Sequence, residues 1–210
     1  MIEQIKRNLT SESIAWRIIT AYLCFLVIFN ILTIISYYLL PQGILLGKHP
    51  LQNWDTSPSL IVSSLQIFSY NLMSAVVILA GNLFSSRKNK AKSYMPFGYL
   101  AFFVMISINA VVLGTWSFSV VTDPVPLVDR LLRTFDLLHR AGLWEMSGQL
   151  FILCSTVNIS LIITDGKETI IKSWKTIRLS KKEKFVFVIG LTMILLGAII
   201  ESYAILQFIL

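Results

Sequence analysis

The stretch LHRAGLWEMSG, residues 138–148, brings a histidine, an arginine and a carboxylate together at the start of an apolar run. His139 and Glu145 lie about one and a half helical turns apart, and an imidazole near a carboxylate is a common arrangement for moving a proton. Glu145 falls inside the apolar run, as does a second carboxylate, Glu201, in the last run of the chain. A charged side chain at the centre of a membrane helix costs roughly 2.5–3.5 kcal/mol on insertion scales, so such a group faces protein or a water-filled cavity. Counted from the expected outer ends of their helices, both glutamates sit on the order of 8–12 Å below the surface. They can therefore share one layer. Gly142, Glu145, Gln149 and Thr156 follow near-helical spacing, and Asn71 and Asn109 lie near the midpoints of two other apolar runs. Two readings fit Glu145, Glu201, Asn71, Asn109 and Gln149. They bond neighbouring helices together, or they line an externally open polar pocket in which two carboxyls share one proton.

Other chemistry is poorly represented. The chain has no HExxH, GxSxG or Walker A pattern. His49 and His139 are its two histidines, too few for a zinc site without carboxylates at unsuitable spacings. Cys24 and Cys154 both fall in apolar runs, without a CxxC pair, and read as small core residues. No cofactor, no metal and no catalytic residue is expected, and the chain leans away from being an enzyme.

The elements that must position these groups are membrane helices. Of 210 residues, 55% are hydrophobic and 14% charged, with a mean hydropathy of +0.73. Five apolar runs predict spans at about 18–40, 60–84, 95–121, 140–163 and 185–209. The fold class expected is all-α: one polytopic bundle over residues 1–210, with interfacial helices at about 125–138 and 167–179. In the first of these, Val128, Leu131, Leu132, Phe135 and Leu138 recur at helical spacing opposite Asp129, Arg130, Arg133 and Asp136. In the second, Ile170, Ile171, Trp174 and Ile177 form a stripe among Lys172, Lys175 and Arg178. That segment is expected to contact lipid or a cytoplasmic partner such as an ATPase. Pro41 and Gly43 stop the first span, Trp54 is an interfacial anchor, and the small-residue-rich second span suits packing against protein.

The net charge of +7 comes in short clusters between apolar runs, so topology accounts for it and nucleic acid is excluded as a partner. Lys6, Arg7, Arg17, Arg87, Lys88, Lys90, Lys92 and the basic residues from Lys167 to Lys184 fall on one side, while Lys48, Arg130, Arg133 and Arg140 fall on the other. The positive-inside rule then places the N-terminus in the cytoplasm and the C-terminus outside. The long first apolar run, without a small-residue cleavage site, reads as a retained span.

Four stretches together resemble the stage II sporulation protein M family of integral membrane proteins. YNLMSAVVILAGNLF is similar to its second span through Asn71 and Gly81, and INAVVLG to its third through Asn109 and Gly114, with Ala110 where glycine is usual. AGLWE resembles the opening of its fourth span through Gly142 and Glu145, with Ala141 at the histidine position, and GAIIESYAI its last through Glu201 and Tyr203. The resemblance covers roughly residues 18–207 and implies helix packing at Gly81, Gly114 and Gly142. It implies a non-enzymatic membrane subunit, but no role that needs an imidazole at position 141. Similar proteins accompany peptide or bacteriocin export genes and ATP-binding transporter subunits, whereas sporulation members associate with cell-wall hydrolases during engulfment. The function expected is therefore a permease-like subunit for peptide or bacteriocin export or immunity, working with an ABC-type ATPase in a bacterial plasma membrane. The alternative is a scaffold that recruits wall hydrolases. The partners expected are membrane lipid, other membrane or ATP-binding subunits and a peptide substrate, with an oligomer open.

Overall fold

A computed structural model describes residues 1–48, 57–87, 94–118, 123–166 and 168–209. His49, Trp54, Lys88, Lys90, Lys92 and Lys167 lie outside the described residues.

Seven α-helices form among the described residues. A short amphipathic helix, α1 (Ile2–Leu9), leads into α2 (Ile14–Leu39), which ends just before Pro41. Then come α3 (Leu60–Asn82), α4 (Gly98–Gly114), a short helix α5 (Leu127–Arg133) of about two turns, α6 (Gly142–Ser155) and α7 (Lys181–Ile209). α7 opens with a capping box. Ser180 N donates to Glu183 Oε2 at 2.8 Å and Glu183 N donates to Ser180 Oγ at 3.2 Å, which satisfies two N–H groups at the start of the helix.

The short helix α6 runs through the centre of the bundle, with ten of its 14 residues buried. On one flank it meets α2 and α4 through an aromatic and aliphatic core that includes Phe25, Phe29, Phe102 and Leu150. On the other, Ile152 packs with Ala75 of α3 and Ile194 of α7. Glycines set the closest approach. A Cβ on Gly148 would lie 2.6 Å from Gly190 O, and one on Gly190 would lie 2.8 Å from Gly148 O, so α6 and α7 touch backbone to backbone. Gly81 similarly backs onto the Gly98 backbone, 2.8 Å from its nitrogen.

Three of the helices, α2, α3 and α7, are long and apolar enough to cross a membrane. α4 is apolar but shorter, and the 14 residues of α6 reach about 21 Å, less than the ~30 Å hydrocarbon core.

The all-α expectation is corrected by a small sheet. β1 (Phe84–Arg87), β2 (Met95–Pro96), β3 (Ile162–Asp165) and β4 (Glu168–Ile171) stand in the order β2-β1-β3-β4. β1 pairs in parallel with β3, Phe84 opposite Ile162, and β3 pairs antiparallel with β4, Ile162 opposite Ile171. Ser85, Ile163 and Asp165 are buried and Ser86 and Thr164 exposed, the alternation of a sheet covered on one face. The span expected at 140–163 therefore ends as a helix at Ser155, and a 3-10 turn (Val157–Ile159) carries the chain into β3.

The helix expected at 167–179 is instead β4 followed by a 3-10 turn (Trp174–Thr176). The β-branched pairs of IITD and ETII cross-pair around Gly166, whose φ of +63° suits a tight turn. The helix expected at 125–138 shortens to α5, because Thr134–His139 continue as turns. Its polar side is also not wholly solvated, since Arg130 is buried in the bundle. In the third span, α4 starts at Gly98 and stops at Gly114, inside the expected 95–121.

Candidate functional site: a polar cluster among three helices

α3, α6 and α7 bring three of the expected pocket residues together. Asn71 Nδ2 donates to Glu145 Oε1 at 2.5 Å, and the Glu201 carboxyl stands close to that of Glu145. Two neighbouring carboxyls can hydrogen-bond to each other only when one carries a proton, because an ionised carboxylate only accepts. Gly197 makes room for the Glu145 stem: a Cβ there would stand 2.7 Å from Glu145 Cγ and 3.3 Å from Trp144 Cβ. Asn71, Glu145 and Glu201 are each half-buried. Buried nearby in sequence are two hydroxyls, Ser63 and Ser202, for which the described residues supply no hydrogen-bond partner.

The other expected residues are placed differently. Gln149 is buried one turn deeper on α6. Asn109 is exposed, because α4 turns Phe102, Ile106 and Ala110 inward; it does not join the cluster. Among the expected packing glycines, Gly81 and Gly114 are in tight contact, the latter backing onto Thr33 and Ser36 of α2. Gly142 is exposed, and a Cβ there would meet Met146 Cε at an ordinary 3.8 Å. His139 does not reach toward Glu145. Its Nδ1 lies 3.0 Å from Asp136 Oδ1 at the surface, and this hydrogen bond holds the Asp136 carboxyl below its usual range.

Two buried arginines escape the sequence reading, and each closes the end of a short helix. Arg17 Nη1 donates to Cys154 O at 2.8 Å, while Arg17 Nη2 forms a 2.7 Å ion pair with Glu183, which also accepts from Asn158 Nδ2 at 3.0 Å. Asn82 Nδ2 donates to Leu153 O at 3.1 Å and Thr156 Oγ1 at 2.8 Å. Carbonyls at the C-terminus of α6, which lack partners within the helix, are thus met by Arg17 and Asn82. Arg130 does the same for α4, donating to Gly114 O and, at 3.4 Å, to Leu113 O, with Gln42 Oε1 accepting at 3.0 Å. Its guanidinium lies 4.7 Å from the Tyr37 ring centre and 5.1 Å from that of Trp116. Arg87 donates twice to Asp165 Oδ2, at 3.0 and 2.8 Å, tying β1 to β3. The proximity of these pairs is not legible from spacing, but the SKKE pattern at 180–183 is a capping-box signal.

Lys172, Trp174, Lys175 and Arg178 follow the sheet. Lys172 is half-buried with Nζ 5.3 Å from the Tyr94 ring centre, Trp174 is 69% exposed, and Lys175 and Arg178 are exposed as well.

A mostly helical chain with three helices able to cross a bilayer is a membrane protein. No known protein family matches it, and neither a curated protein nor a solved structure does.

Proposed function

We propose that this chain is a multi-pass subunit of a bacterial plasma membrane, the permease-like component of a complex that exports a peptide or bacteriocin or confers immunity to it. In this reading α2, α3, α4, α6 and α7 are five passes, with the N-terminus cytoplasmic and an ABC-type ATPase engaged on that side. The observation that carries it is the Asn71–Glu145–Glu201 cluster, two carboxyls and an amide facing one another between apolar helices. Carboxyls so placed rarely persist without a functional task. A cationic group on a substrate can take the place of the proton that the pair shares. The ordered resemblance to the stage II sporulation protein M family, several of whose relatives accompany transporter ATPases, supports the same reading.

The test is purification of the full-length chain from its native membranes in mild detergent, followed by mass spectrometry of what accompanies it. An ATP-binding subunit is expected, and it should be lost when Lys172, Lys175 and Arg178 are reversed to glutamate. Glu145→Gln with Glu201→Gln should leave that complex assembled and abolish export or immunity. Absence of any ATP-binding subunit would sink the proposal.

A second reading, a scaffold for cell-wall hydrolases, draws on α5 and the turns that follow it. Val128 and Leu132 are 64% and 65% exposed, and Leu138 more so, an apolar strip for a partner outside the membrane. Recovery of a wall hydrolase in the same purification, lost on Val128→Asp with Leu132→Asp, would favour it.

A further inference from the structure

β4 is the outer strand of the sheet, and all four of its residues are exposed. Its pairing with β3 uses one set of backbone groups. Lys172 N donates to Leu161 O at 2.7 Å, so by the alternation of an antiparallel ladder Ile170 and Glu168 also bond toward β3. Thr169 and Ile171 then point their N–H and C=O groups outward, where the described residues offer no partner. Natural edge strands are commonly protected by an inward charge, a proline or a bulge. β4 has neither a proline nor a bulge, and it ends in Ile171, 76% exposed, three residues before the exposed Trp174.

The sequence across this edge, ETIIK, is complementary to itself. We propose that β4 pairs antiparallel with β4 of a second copy of this chain, about a twofold axis at Ile170. In that register Ile170 faces Ile170, Thr169 faces Ile171, and Glu168 faces Lys172. The outward-bonding residues 169 and 171 fall opposite each other and form the hydrogen-bonded pairs. Ile170 occupies the closer, non-hydrogen-bonded pair. Both ends of the contact carry opposite charges, and the two four-stranded sheets become one. Shifting the register by one residue would place outward-bonding positions opposite inward-bonding ones, so bonding pattern and charge select the same alignment. The inference uses no residue of the carboxyl cluster, but it shares Lys172 with the docking surface of the transport reading; Ile170→Cys and Thr169→Pro, which leave Lys172 in place, separate the two.

Register-specific cross-linking tests it in native membranes, with the full-length chain and with Cys24 and Cys154 replaced by serine. Ile170→Cys should oxidise to a covalent dimer, since Cα atoms of such a pair stand about 4.5 Å apart. Glu168→Cys alone should not, since the register sets the two 168 positions about 13 Å apart, whereas Glu168→Cys with Lys172→Cys should. Glu168→Lys should weaken association roughly tenfold, and adding Lys172→Glu should restore it. Thr169→Pro removes an outward N–H that the ladder to β3 does not use, so it should give a monomer with an unchanged melting temperature. Failure of Ile170→Cys to cross-link, equal cross-linking by Glu168→Cys, or a persistent dimer in Thr169→Pro would each overturn the proposal.

Discussion

Arg17 offers the sharpest test of how the bundle is held together. Its side chain is 1% exposed and that of Glu183 7%, and their ion pair joins the start of α2 to the start of α7. Removing one member of a buried pair costs about 3–5 kcal/mol, because the other is left charged and unmatched. The two members are unequal, however. Without Arg17, Glu183 still accepts from Ser180 N and Asn158 Nδ2; without Glu183, Arg17 keeps only Cys154 O. Arg17→Met should therefore fall near the lower end of that range and Glu183→Leu near the upper. In the double variant no charge remains, and the loss should be smaller than the sum by about 2 kcal/mol. The measurement is reversible unfolding of the four proteins in mixed micelles, followed by far-UV circular dichroism. A coupling below about 0.5 kcal/mol would refute the pair as a buried interaction.

Three further outcomes are expected. Gly190→Ala should destabilise by about 1–3 kcal/mol, because its Cβ would lie 2.8 Å from Gly148 O, while Gly142→Ala should be nearly neutral; melting temperatures compare them. Arg130→Lys should lower stability by about 1–3 kcal/mol, since a single ammonium cannot reach both the α4 carbonyls and Gln42; chemical denaturation measures the loss. The folded Asp136 carboxyl titrates below its unfolded counterpart, so its contribution is present above the unfolded pKa of about 3.9 and is lost as the pH falls through the lower folded value. Its carboxyl NMR shift should show that low midpoint, and His139→Ala should raise it.

Periodicity and apolar run length located α2, α3, α4, α6 and α7, because burying apolar surface leaves a local mark on sequence. Ends were harder to read. The run from Phe151 to Ile163 keeps an apolar residue at most positions, yet its helix stops at Ser155, where Asn82 and Arg17, far away in sequence, supply donors to the last carbonyls. The same distance hid β1 and β3, which pair across 78 positions. The β3–β4 hairpin had a local signal in IITDGKETII, β-branched residues on both sides of Asp165-Gly166. The helical spacing of Ile170, Trp174 and Ile177 competes with it, and strand pairing prevails. For the candidate site, Glu145, Glu201 and Asn71 were legible because polar residues stand out in apolar runs. Asn109 was misplaced because run position gives depth and not which way a residue faces. Arg17 read as a surface charge because nothing near it in sequence identifies Glu183 as its partner.

The pairing of Arg17 bears on the order of biosynthesis. Its two acceptors follow 137 and 166 residues later in the chain. At ribosomal speeds of about 5–20 residues per second, α2 waits roughly 10–30 s before Glu183 is even made. During that time the arginine needs water, lipid phosphate or a chaperoning protein at the bilayer edge. α2 is thus made well before the contacts that lock it, and a chain truncated before residue 183 should be handled as an orphan by membrane quality control.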